Sequence, residues 1–218
     1  MWWTLSGSAT FVFSFLVLWY WLFLRWNRRR AKHLLASIES AFGGNGHVSS
    51  TQWLSASQFH VQLRLGNSNF MQPTVTVRML PREVPWHWAM CVVKKRRETL
   101  TFDANLPCPP GFNLEVQNQR WSAKSRKRVM RRRAVTRLRH LGPFVLTSRH
   151  DWQRDITSMM HALATSRDCD LLSVSFRRRT PHFSATVPLE AVAGKHCTSV
   201  RVFEALRELA AGASAARF

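Results

Sequence analysis

No charged side chain occurs between Trp2 and Leu24. This run constrains the chain more than any other feature. At about 1.5 Å per helical residue it spans roughly 34 Å, and the hydrocarbon core of a bilayer is about 30 Å thick. Its centre, from Phe11 to Leu24, is almost wholly aliphatic and aromatic, so the expectation is a single N-terminal transmembrane helix. The bases Arg25, Arg28, Arg29, Arg30 and Lys32 follow the run. A secretory signal peptide has the opposite order, with charge first and small residues at a cleavage site afterwards, so cleavage is not expected. The positive-inside rule puts the N-terminus outside and the remainder in the cytoplasm, with a bacterial inner membrane as the expected setting. Trp2 and Trp3 at one end, and Trp19, Tyr20, Trp21 and Trp26 at the other, suit the two interfaces. Ser6, Gly7, Ser8, Thr10 and Ser14 are small enough for another helix to approach, but no ionisable group inside the span marks a transport path.

Beyond the apolar run, Leu34, Leu35, Ile38 and Phe42 share one face of a helical continuation, and Gly43, Gly44 and Gly46 stop it. The sequence therefore divides into an anchor with its cytoplasmic helical extension (1–42), a Gly-rich linker (43–50), a basic domain (51–211) and a short tail (212–218). Within the domain, alternation of apolar and polar residues predicts strands at Phe59 to Leu65, Thr74 to Met79, Met90 to Val93, Thr99 to Phe102 and Phe112 to Val116. Gly66 to Asn69 supplies a hairpin connection. Further strands are expected at Phe144 to Thr147, Leu171 to Phe176 and His182 to Pro188, the last two forming a hairpin around Arg177 to Pro181. Helices are expected over the basic stretch from Arg120 to Leu141, over Asp151 to Ser166 with Asp151 or Ser148 as cap, and over Ser199 to Ala211. Antiparallel strands with two or three helices make the fold class α+β.

The net charge is +20, from 32 Lys plus Arg against 12 Asp plus Glu. Such a surplus favours an anionic partner. The Arg120 to Leu141 stretch holds many bases and no acid, with Met130, Ala134, Leu138 and Leu141 as a narrow apolar stripe. Lys94 to Arg97 and Arg177 to Arg179 are two further basic runs. The candidate anionic-surface residues are Arg28, Arg29, Arg30, Arg126, Lys127, Arg128, Arg131, Arg132, Arg133, Arg137 and Arg139. Anionic lipid headgroups and an acidic protein face both suit this pattern, and so does a plain solvated surface. Nucleic acid is disfavoured, because aromatics that would stack on bases do not interleave with the Arg runs, Trp121 excepted.

Catalytic signatures are missing: there is no G-x-S-x-G, H-E-x-x-H, P-loop or dinucleotide fingerprint. His140, His150, Asp151, Asp155 and His161 outline a metal-hydrolase pattern, yet Asp151 at a helix start is better read as a cap. Asp103, at the end of a strand, is a turn former before it is a catalyst. Cys91, Cys108, Cys169 and Cys197 lack metal-ligand spacing, and in a reducing cytosol they are ordinary thiols, Cys91 buried within its strand. No metal or cofactor is expected. The reading is a non-enzymatic scaffold or adaptor held at the inner face of a bilayer that it spans, and the alternative is a membrane-tethered nucleic-acid-binding protein.

Overall fold

The computed structural model describes residues 2–41, 46–66, 70–118, 137–141, 144–148, 171–193 and 199–215, with the backbone alone at 2–9, 137–141, 144–148, 193, 199 and 214–215. The fold is α+β. One long helix, α1 (Trp2–Ala41), leads into an antiparallel sheet of nine described strands. These are β1 (Gly46–Ser55), β2 (Gln58–Leu65), β3 (Met71–Arg78), β4 (Thr99–Asn105), β5 (Leu114–Asn118), β6 (Arg137–Leu141), β7 (Phe144–Ser148), β8 (Ser173–Phe176) and β9 (Phe183–Pro188). The other helices are α2 (Pro85–Val93), α3 (Leu189–Ala193) and α4 (Ser199–Ala215).

The spatial order is β1-β2-β3-β4-β9-β8-β5-β7-β6. A four-strand meander forms one side, β5 with the β6–β7 hairpin forms the other, and the late hairpin β8–β9 fits between them. Its register is continuous on both flanks: Phe102 faces Ala185, which faces Val174, which faces Val116. Alternation in the sequence becomes two faces because successive strand side chains point to opposite sides. Phe59, Val61, Val75, Val77, Leu100, Phe102, Val116, Val174, Phe183 and Val187 are buried on one side. They pack with Ala31, Leu34 and Ile38 of α1, with Leu189 of α3, and with Val202, Phe203, Leu206 and Leu209 of α4 in a single core. Phe102 touches three other rings there, Phe70, Phe183 and Phe203, at centroid distances of 5.1, 6.2 and 5.9 Å. The opposite face carries His60, Thr76, Thr101, Thr186 and Ser173 in one row across five strands, all part-exposed.

Four sequence expectations change. Met90 to Val93 is helical, not a strand. Pro85 takes the first helical position, where its missing N–H costs nothing, and so starts α2. The helix ends on Lys95 at φ 47°. The amide of Arg96 bonds the Cys91 carbonyl and that of Lys95 the Val92 carbonyl, which is the left-handed cap usually given to glycine. Cys91 is thus buried on a helix. The basic helix does not extend to Leu141, because Arg137–Leu141 pairs with Phe144–Ser148 as an edge hairpin. Residues 119–136 lie outside the described residues, as does the helix expected over 151–166. Residues 46–50, expected as the end of the linker, open strand β1, whose polar sequence and two register shifts obscure any alternation.

The fourth concerns the anchor. Among the described residues no helix is long and apolar enough to cross a membrane. Thr4, Ser6, Gly7, Ser8 and Thr10 dilute the start of the uncharged run, and its densely apolar part from Phe11 to Leu24 is only about 21 Å long, short of a hydrocarbon core of about 30 Å.

Candidate functional site

Strand register gives the sheet two ends. Gln58, Arg78, Thr99 and Pro188 lie at the near end; Leu65, Met71, Asn105 and Phe183 lie at the far end. Helix α1 runs between them. Asn27 sits at the near end, donating from Nδ2 to the Ala56 carbonyl in the β1–β2 turn at 3.2 Å. Glu39 lies further along, accepting the Val48 amide at 3.3 Å. The N-terminal half of α1 therefore leaves the domain at the near end, and its apolar side chains stay uncovered there. Phe11 is 74% and Phe13 69% exposed, and Val17, Leu18, Trp21 and Leu22 are each about half exposed.

A buried polar cluster fixes that exit. Asn27, Glu83 and Glu98 are among the buried polar residues. Glu98 Oε2 meets Arg30 Nη2 at 2.8 Å and Oε1 meets Arg82 Nη2 at 3.3 Å. The Leu80 amide donates to Oε1 at 3.3 Å, and the Leu189 amide donates to the Glu98 backbone carbonyl at 3.0 Å. One carboxylate thus ties α1, the β3–α2 loop and the start of β4 together. Asn27 Nδ2 also reaches Glu83 Oε2 at 3.4 Å. The Trp26 ring has the Arg82 guanidinium over it at 4.3 Å and that of Arg30 at 5.2 Å. Burial pushes the Arg82 pKa below its usual value, Glu98 opposes that, and Arg30 reinforces it.

Above this cluster α2 lies alongside α1. The Trp19 indole donates to the Arg82 carbonyl at 2.9 Å, and Trp19 and Trp88 meet at 6.4 Å between ring centroids. Trp19 also packs on Phe15 and Phe23 within its own helix. An aromatic seam therefore joins the two helices outside the domain.

The candidate anionic-surface residues are divided by this geometry. Arg28 and Arg29 are exposed at the near end, whereas Arg30 is turned inward onto Glu98. Lys94 to Arg96 are exposed between α2 and the near end of β4. Arg177 to Arg179 belong to the β8–β9 turn at the far end, where Arg178 bonds the Gly111 carbonyl and the side chain of Asn113. That run does not share a surface with the near-end bases. Arg137 and Arg139 lie on edge strand β6, while Arg126, Lys127, Arg128, Arg131, Arg132 and Arg133 are outside the described residues.

Asp103 lines an open groove of about 960 Å³ at the far end, with Gln62, Arg64, Gln72, Thr74 and Asn105. It is a strand residue paired with Thr74 and Ser184, not a turn former. His140 is on β6, whereas His150, Asp151, Asp155 and His161 are outside the described residues. Among the described residues no three His, Cys, Asp or Glu side chains gather as metal ligands. Sequence reasoning missed the Glu98 cluster altogether. A lone Glu after four bases, Lys94 to Arg97, was its one available signal. The sequence matches no known protein family, and no curated protein is significantly similar to it.

Proposed function

We propose that the chain is a membrane protein anchored by the first half of α1, whose basic domain serves as a non-enzymatic scaffold or adaptor at the cytoplasmic membrane surface. The observation that carries this reading is the bare apolar half-helix. A soluble protein rarely leaves so large a contiguous apolar surface uncovered, and here it covers α1 on every side except the one Trp19 turns to α2. The sequence stays uncharged back to Trp2, which brings the apolar length to roughly 34 Å, enough to span. Arg25 and the exposed Arg28 and Arg29 follow at the point where α1 enters the domain. That is where cytoplasmic headgroups would lie, each base near an anionic surface contributing about 1 kcal/mol. The buried cluster around Glu98 holds the anchor and the sheet in one orientation, as a surface-mounted scaffold requires.

Alkaline carbonate washing of membranes that carry the full chain tests this. The wild type stays with the bilayer, and a Leu16→Arg, Leu18→Arg variant leaves it, each Arg at mid-helix costing about 2.5 to 3.5 kcal/mol of insertion. Release of the wild type would overturn the anchor. Nucleic acid that copurifies with detergent-extracted protein and departs at high salt would replace the adaptor with a tethered nucleic-acid binder.

A further inference from the structure

Helix α2 is exposed on nearly every side. Trp86 is 73%, Val92 53% and Val93 78% exposed, Trp88 and Met90 each more than a third, and only Cys91 among its residues is buried. Its sequence, Pro-Trp-His-Trp-Ala-Met-Cys-Val-Val, has His87 as its one polar side chain. Below α2 lies the polar cluster of Asn27, Glu83 and Glu98 with Arg30 and Arg82, and the helix keeps its aromatics exposed. The left-handed cap at Lys95 then turns the chain back, and Lys94, Lys95 and Arg96 emerge exposed beside Val92 and Val93.

We propose that α2 is a second membrane-contacting element, lying in the interfacial layer of the same leaflet from which α1 emerges. In this arrangement Trp86, Trp88, Met90, Val92 and Val93 sit among the upper acyl chains. Lys94, Lys95 and Arg96 extend to anionic headgroups. The proposal rests on the anchor reading above. Two features point to lipid as the occupant. The apolar surface of α2 is continuous with that of α1 through the Trp19–Trp88 ring contact, and the Trp19–Arg82 hydrogen bond holds the two elements together there, so any bilayer around α1 at that depth reaches α2. The three bases that follow the helix directly have long apolar stems, which let their charges reach headgroups while α2 lies among the acyl chains. Two contacts, one spanning and one lateral, would prevent the domain from swivelling about α1.

The test places an environment-sensitive fluorescent amino acid at position 93, 16 or 62 of the full chain, reconstituted in liposomes of phosphatidylcholine with phosphatidylglycerol. Lipids carrying a nitroxide either high or deep on the acyl chain are then added in separate samples. Position 93 should show roughly twofold quenching and a blue-shifted emission, position 16 should be quenched by deep nitroxides, and position 62 on the polar sheet face by neither. Quenching at 16 without quenching at 93 overturns the α2 proposal and leaves the anchor standing. If position 93 is unquenched but shielded from aqueous iodide, a second copy of the chain covers α2 instead of lipid, which also overturns the proposal. Absence of quenching at both 16 and 93 overturns the anchor reading itself. Replacing Lys94, Lys95 and Arg96 by Glu should reduce quenching at 93 in anionic liposomes, and an unchanged signal overturns the headgroup contact.

Discussion

Replacing Glu98 by Gln keeps the shape of the side chain and its acceptance of the Leu80 amide, but removes the charge that neutralises Arg30 and Arg82. Two guanidiniums would then face each other across a neutral amide where α1 enters the domain. Stripping one partner from a fully buried ion pair costs about 3 to 5 kcal/mol. Here the carboxylate is 7% exposed but Arg30 and Arg82 retain 30% and 20%. Water screens part of the residual charge, and the expected loss is about 2 to 3 kcal/mol. For a domain of this size that lowers the melting temperature by roughly 5 to 10 °C. Circular dichroism of the full chain in detergent micelles, followed through thermal unfolding, reads it directly. The difference between wild type and variant should hardly change between low salt and about 0.5 M salt, because the pair is shielded from mobile ions. Adding Arg82→Gln to Glu98→Gln should cost less than the sum of the two single changes, with a coupling of about 1 kcal/mol or more. A loss below about 0.5 kcal/mol, or strict additivity, would refute the claim that this carboxylate holds α1 to the sheet.

Phe102→Ala removes a fully buried ring packed on three others and should destabilise by about 3 to 5 kcal/mol, measured by urea denaturation; a loss under 1.5 would mean the core collapses around the gap. Lys95→Gly relieves the left-handed backbone at the end of α2 and should stabilise by about 1 kcal/mol, seen as a melting temperature roughly 2 to 4 °C higher. A fall in melting temperature instead would mean that the Lys95 stem packs on α2 in a way that outweighs the strain.

What could be read from the sequence followed from local periodicity. The helical continuation through Leu34 and Ile38, the strands at β2, β3, β4, β8 and β9, and the last helix each repeat with a period that one element alone explains, and the first part of α1 was legible from its unbroken lack of charge. So did the α+β class. Where two signals competed, the sequence misled: Met90 to Val93 is as apolar as a strand, and only the Pro85 start and the cap at Lys95 make it helical. The basic stretch ends in a strand because Arg137–Leu141 finds Phe144–Ser148, a pairing that outweighs local helix preference.

Tertiary structure alone decided the insertion of β8–β9 between β4 and β5, since no local pattern states which edges a hairpin will bridge. It also decided that Arg30 faces Glu98 while Arg28 and Arg29 face outward, and that Arg177 to Arg179 sit at the opposite end of the sheet from Lys94 to Arg96. The physical reason is the same in each case. Charge and apolarity are properties of a residue, but which side chains share a surface depends on register and crossing, and these are set by contacts between residues far apart in the chain.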